Sequence, residues 1–272
     1  MNGHGDLNNI YASRPAIEIR PDKAYMGCSL AISPQDDDPD VRARYRSFIL
    51  QDSSTAHDND WVDSLELCTV LSMVDREILQ HGLPRLPFEG ARILHRLGCD
   101  VRVYDPTGLP LKDDVNHEHP KVQELRQLSL WSDGQFWVSP EQHGAVTGLF
   151  KTQIDWIPLA SGSVRPTQGR TLSIAQVCGG SQSFNVVNAL RILGRWMRMF
   201  VIPNQSSVPK AYTQFTPESG GSRMIPSSNR DRLVDCMEEL VKYTILMRPH
   251  FDLFGDRFSE RMEKMAKAET PK

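Results

Sequence analysis

Six consecutive residues, Ser139-Pro140-Glu141-Gln142-His143-Gly144, combine a rigid residue, an acceptor carboxylate, two groups that both donate and accept, and a glycine. They come after the apolar run Phe136-Trp137-Val138 and precede Val146, Leu149, Phe150 and Ile154 at helical spacing. A strand that ends in a polar, glycine-containing loop and feeds a helix is where open α/β sheets hold ligands. This set suits a planar heterocycle with several hydrogen-bonding edges better than a metal or a nucleophilic attack. A second loop, Gly179-Gly180-Ser181-Gln182, comes after the apolar run Thr171 to Val177. Alone it reads as a generic strand-to-helix turn. Coupled to the first loop it becomes a second wall, its glycines allowing close backbone approach to a flat ring. His143 is read as a structural hydrogen-bond partner, and no residue is assigned a catalytic role.

The elements that must position these loops alternate along the chain. Strands are expected at Asp100 to Tyr104, Gln135 to Val138, Thr171 to Val177 and Met199 to Ile202. Helices are expected at Pro87 to Leu97, closed by Gly98, then Pro120 to Trp131, Ala145 to Asp155 and Phe184 to Met197. Ser227 or Ser228 caps a last helix carrying Leu233, Met237, Leu240 and Val241. Upstream, Trp61, Leu65, Cys68, Val74 and Ile78 fall near one helical face, so Trp61 to Leu79 is read as a helix. Strands separated by helices imply βαβ units and a doubly wound parallel sheet. Residues 1–60 read as a largely irregular arm and linker, 61–248 as the α/β domain, and 249–272 as a charged tail.

Bulk properties exclude several functions. A formal charge of −3 over 272 residues gives no footprint for nucleic acid or an anionic membrane. No apolar run approaches the roughly 20 residues of a membrane span, and the start lacks a secretory pattern; a cytoplasmic protein is expected. Five dispersed cysteines without a CxxC pair read as thiols, not bridges or zinc ligands. His117-Glu118-His119, alternate residues before Pro120, is a weak metal signal, and no metal site is assigned.

SPEQHG at 139–144, FKTQIDW at 150–156, RPTQGR at 165–170 and GGSQSFN at 179–185 resemble, in this order, the arsenical-resistance flavoproteins of the ArsH type. These are NADPH-dependent FMN reductases with a flavodoxin-like fold, and the resemblance runs from about Gly90 to Lys267. It implies FMN and NADPH as cofactors, with Ser139, Pro140, Glu141, Gln142, His143 and Gly144 bordering the isoalloxazine. Gly179, Gly180, Ser181 and Gln182 then close its other side. It further implies electron transfer to a small-molecule acceptor (oxygen, quinones or organoarsenicals), a homotetramer, and no role for protein acids in hydride transfer. Arg165 and Arg170 are candidates for the NADPH 2′-phosphate, or a solvated basic loop.

The family also carries an apolar first strand and a Gly-Ser-Leu-Arg-x-Arg-Ser phosphate loop before the helix at Phe88. Between Leu79 and Phe88 this chain has only Gln-His-Gly-Leu-Pro-Arg-Leu-Pro. The first strand is therefore expected to be missing or replaced, and the phosphate loop absent. That departure leaves a second reading beside the reductase: a flavin-free, degenerate paralogue serving as an oligomerising interaction subunit.

Overall fold

The computed structural model describes residues 69–73, 85–160, 166–217 and 223–269. The arm and linker expected over residues 1–60, and Arg165, lie outside them. The sheet begins with β1 (Thr69–Met73), and then come α1 (Arg85–Arg96), β2 (Asp100–Tyr104), α2 (Pro120–Trp131), β3 (Gly134–Gln142) and β4 (Ala145–Val146). The next elements are α3 (Gly148–Trp156), β5 (Thr171–Val177), α4 (Asn185–Trp196), β6 (Phe200–Val201), β7 (Ser206–Val208) and α5 (Ser228–Met247). The last two helices are α6 (Phe251–Gly255) and α7 (Phe258–Glu269).

The order across the sheet is β2-β1-β3-β5-β6, with β7 also on β5 and β4 on β3. All pairs are parallel except β3 with β4. Chain direction across the sheet reverses around β1, which makes the crevice beyond the C-terminal ends of β1 and β3 a topological switch point.

β1 corrects one expectation. Residues 69–73, read as part of a helix, form a strand, and that strand takes the central place of the first strand, expected to be missing or replaced. Met73 lies opposite Tyr104 on one side and Trp137 on the other. The doubly wound parallel sheet thus keeps its first strand, formed by Thr-Val-Leu-Ser-Met. The residues between Met73 and Arg85, where the phosphate loop would fall, lie outside the described segments.

Alternation along β3 and β5 divides the core. Phe136, Val138, Ala175 and Val177 face α1 and α5, among them Leu94, Leu233, Met237 and Leu240. Trp137, Leu172 and Ile174 face the other layer with Val122, Leu125, Phe150, Val187 and Leu190. Fully burying each such side chain contributes about 1.5–3 kcal/mol. Helix starts are fixed locally: Thr147 Oγ1 accepts the Phe150 N–H at 3.1 Å, and Ser227 Oγ that of Arg230 at 3.3 Å. Gly98 closes α1 at φ 96°, as expected of a helix-ending glycine.

Within residues 249–272, expected as a charged tail, Phe251–Gly255 and Phe258–Glu269 are helical. The Phe254 ring stands edge-on to Phe200 at 4.8 Å, and its carbonyl accepts from the Gln168 side chain. Among the described residues no helix is long and apolar enough to cross a membrane.

Candidate functional site

Pro140 on β3 lies opposite Val177 on β5, so the chain leaves both strands at the same edge of the sheet. The segment after Pro140 differs from the expected loop. Ser139 to Gln142 remain in β3, Glu141 and Gln142 pair with Val146 and Ala145 of β4, and only His143 and Gly144 turn. Both have positive φ, 48° and 76°, as a two-residue type I′ hairpin requires. Their exposure puts the hairpin tip in solvent.

The second loop leaves β5 at Cys178. Its carbonyl accepts the Ala211 N–H at 3.0 Å, and Gly180's accepts that of Lys210 at 3.1 Å. Lys210, at φ 45°, thus heads a turn that braces this loop from below. A side-chain carbon added at Gly179 or Gly180 would meet nothing within 4 Å. The backbone faces of both glycines are therefore open to a ligand.

Eight of the ten candidate residues divide by the work their side chains already do. Ser139 is fully buried, its hydroxyl donating to the Pro140 carbonyl at 3.0 Å and accepting the Thr147 N–H at 3.4 Å. The Gln182 amide donates to the Ser207 carbonyl at 3.1 Å. Glu141 accepts from Gln176 Nε2 at 2.9 Å and from Asn185 Nδ2 at 3.3 Å. These three side chains are engaged in building the walls. His143, Gly144, Gly179, Gly180 and Ser181 form the exposed rim.

Sequence reasoning missed Gln176, Asn185 and Ser207. Gln176 is fully buried, and its Oε1 accepts the Val187 N–H at 2.9 Å in the first turn of α4. A glutamine inside the apolar run Thr171 to Val177 was the available signal, since a buried amide must find partners. The Asn204-Gln205-Ser206-Ser207 run after Pro203 was another.

Burial, and then the Glu141 carboxylate, push the Cys178 thiol above its ordinary pKa, while backbone contacts from Ser183, Lys210 and Gly180 pull the other way. The thiol donates weakly to the Ser181 carbonyl at 3.3 Å. Cys99, Cys178 and Cys236 are free.

Several charged residues prove to be structural. Arg170 donates to the carbonyls of Ser132 and Leu130 at the start of β5. Seven strand residues, about 20 Å, separate it from the open glycines, so it does not face a cofactor there. Arg223 and Arg230 surround the fully buried Glu89: Arg223 bonds both carboxylate oxygens at 2.8 and 3.0 Å, and Arg230 lies 3.7 Å away. His117 contacts Arg126 through Nδ1 at 3.2 Å, and His119 caps α2 by accepting the Lys121 N–H. Among the described residues no group of three or more His, Cys, Asp or Glu is placed to hold a metal.

The open edge can take the ring of a flavin: bare glycine backbone after β5 forms one wall and the hairpin tip after β3 the other, beside the switch point between β1 and β3. Residues 88–213 match the family model of NADPH-dependent FMN reductases. FerB, a flavoenzyme NAD(P)H:acceptor oxidoreductase from Paracoccus denitrificans, superposes with a TM-score of 0.52 at 16% identity, covering 66% of this chain and 98% of that one. RosB, with its bound riboflavin-phosphate intermediate, gives 0.53 at 11%, covering 75% and 88%. At those identities the likeness shows the fold. The sequence relatives go further. The NADPH-dependent FMN reductase ArsH of Shigella flexneri is 56% identical over 174 residues, 64% of this chain and 67% of its own. That of Rhizobium meliloti is 61% identical over 181 residues, 66% of this chain and 74% of its own. Identity at that level over most of a relative's length places the chain in the ArsH family of NADPH-dependent FMN reductases.

Proposed function

We propose that this chain binds FMN at the C-terminal edge of β3 and β5, reduces it with NADPH, and passes the electrons to a small-molecule acceptor such as oxygen, a quinone or an organoarsenical. The observation that carries the reading is the open backbone of Gly179 and Gly180 across from the His143-Gly144 hairpin, next to a switch point whose central strand is in place. Bound FMN would supply a ring that takes a hydride from the nicotinamide and releases electrons to the acceptor. The chain's own part is to hold that ring. Backbone amides of the two walls would meet its edges, and the glycines would admit it without steric cost. A cytoplasmic location and residues 61–248 as the reductase domain belong to the same proposal.

A homotetramer is also proposed. Supporting it, Phe184, Ile192 and Trp196 are 48%, 61% and 64% exposed along one side of α4, and Phe258, Met262 and Met265 are exposed on α7. Contiguous exposed apolar residues of this size mark association surfaces. Light scattering on the purified chain tests it, and a monomer would refute it.

One observation favours the flavin-free alternative. The residues joining Met73 to Arg85, Val-Asp-Arg-Glu-Ile-Leu-Gln-His-Gly-Leu-Pro, hold no Gly-Ser pair and a single arginine. Charge-assisted bonds to a phosphate contribute about 1.5–3 kcal/mol each. The visible spectrum of the purified chain, with and without added FMN, decides between the two. Flavin absorbance that bleaches with NADPH is the expected result. A protein that stays colourless at high FMN would refute the reductase reading and leave the interaction subunit.

A further inference from the structure

We propose that Glu141 acts as a positioning residue, a strut between the two walls of the flavin site, and does not use its carboxylate on the ring. This rests on the reading of the edge as an FMN site. Glu141 belongs to the β3–β4 hairpin, yet both of its oxygens accept from the other wall: Oε2 from Gln176 on β5, Oε1 from Asn185 at the start of α4. Gln176 is itself fixed, fully buried with its own oxygen on the Val187 N–H. The carboxylate is therefore anchored to an immobile amide below and to a helix start beside it. Gly144, two residues past Gln142, adds a close approach, since a side-chain carbon there would lie 3.6 Å from the same Asn185 amide.

The chemistry of the arrangement argues for a strut. An ionised carboxylate is acceptor-only, and here two amide donors meet one oxygen each. Of the two bonds, that from Gln176 at 2.9 Å is the shorter and the more buried, and that from Asn185 at 3.3 Å is exposed. No comparable tie is needed to hold either element alone: β3 is paired to β5 through seven residues, and α4 packs through Val186, Val187 and Leu190. Glu141 adds a fixed distance between the hairpin tip and the Gly179-Gly180 loop, which is the gap a flat ring must enter. Preorganising that gap lowers the ordering cost of binding.

The test is a double-mutant cycle on FMN affinity with Glu141→Ala, Asn185→Ala and the pair, read by flavin fluorescence and accompanied by amide hydrogen exchange of the flavin-free proteins. Expected are weaker FMN binding in both single variants, the larger loss, roughly tenfold, in Glu141→Ala, which removes both ties, and a double variant little worse than Glu141→Ala, because Asn185→Ala removes a tie already lost with the carboxylate. The loss should concentrate in FMN affinity and not in turnover at saturating flavin. Exchange should rise together in residues 142–146 and 178–185. Additive effects on affinity, or a loss confined to turnover with affinity intact, would overturn the strut and put the carboxylate on the reacting ring. Should the unaltered chain bind no FMN, the reductase reading falls, and the exchange data alone judge the strut: a rise in both loops supports it, and unchanged exchange in either refutes it.

Discussion

Two glycine-and-glutamine loops flank the same strand, and they have opposite fates. Thr167-Gln168-Gly169-Arg170 precedes β5, and Gly179-Gly180-Ser181-Gln182 succeeds it. In the first, the Thr167 hydroxyl donates to Met197 O at 2.6 Å, the Gln168 amide and Arg170 donate to backbone carbonyls, and Gly169 lies under Phe254, 3.2 Å from where a side-chain carbon would sit. In the second, both glycines face empty space. Composition alone does not separate a joint from a site; the difference is whether the fold has already consumed the backbone and side-chain donors. In a parallel α/β sheet that assignment depends on strand direction, because ligands gather beyond the C-terminal ends.

Substitutions that hit one end of β5 and spare the other would separate joint from site. The largest effect is expected at a buried support behind the sheet. Glu89→Ala leaves Arg223 facing a buried void, and loss of a buried ion-pair partner costs about 3–5 kcal/mol, readable as a fall in the urea midpoint. Arg170→Ala removes charge-assisted bonds to two carbonyls at the closed end. Stability should drop by about 2 kcal/mol while FMN affinity, measured on the surviving folded protein, stays put. Gly169→Ala, at φ 80° against Phe254, should lower stability by about 1–2 kcal/mol, again without touching flavin. Gly180→Val should show the inverse signature: an unchanged unfolding midpoint and FMN binding weakened by roughly tenfold or more. Smallest is the expected effect on Cys178. With its pKa raised by burial and Glu141, less thiolate is present at neutral pH than in a free cysteine. Peptide-resolved alkylation should therefore be slower than for a free thiol at pH 7 and catch up only as pH rises beyond the ordinary thiol range.

Much of the frame is legible in the sequence. Asp100–Tyr104, Thr171–Val177 and Pro120–Trp131 have the ends expected of them, because each is bounded by a strong punctuator: Gly98, Asp105-Pro106, Gly169, Cys178-Gly179 or Pro120 itself. β1 is not legible. A central parallel strand is covered on both faces and has no alternation to display, so five residues amid helically spaced Leu65, Val74 and Ile78 look like more helix. The hairpin is half legible. His143-Gly144 announces a turn, but the persistence of β3 through Gln142 depends on β4, two residues too short to carry a period. Partners far apart in sequence are invisible. Glu89 and Arg223 stand 134 positions apart, Glu141 and Gln176 35. The Glu141 case is instructive, since its residue type points to the site without revealing its partners: an acceptor beside a ligand pocket looks identical whether it faces inward or across.

The placement of β1 has a consequence for synthesis on the ribosome. Thr69–Met73 pairs with two strands that both come later in the chain, and the second, β3, begins only at Gly134. A nascent chain that has emerged as far as Tyr104 exposes a two-stranded ribbon whose inner edge is still unpaired. At about 5–20 residues per second, roughly 30 further residues keep that edge bare for a few seconds. An unpaired apolar edge is a template for stray pairing, so this protein's most vulnerable moment falls before β3 and the loops that follow it have left the exit tunnel.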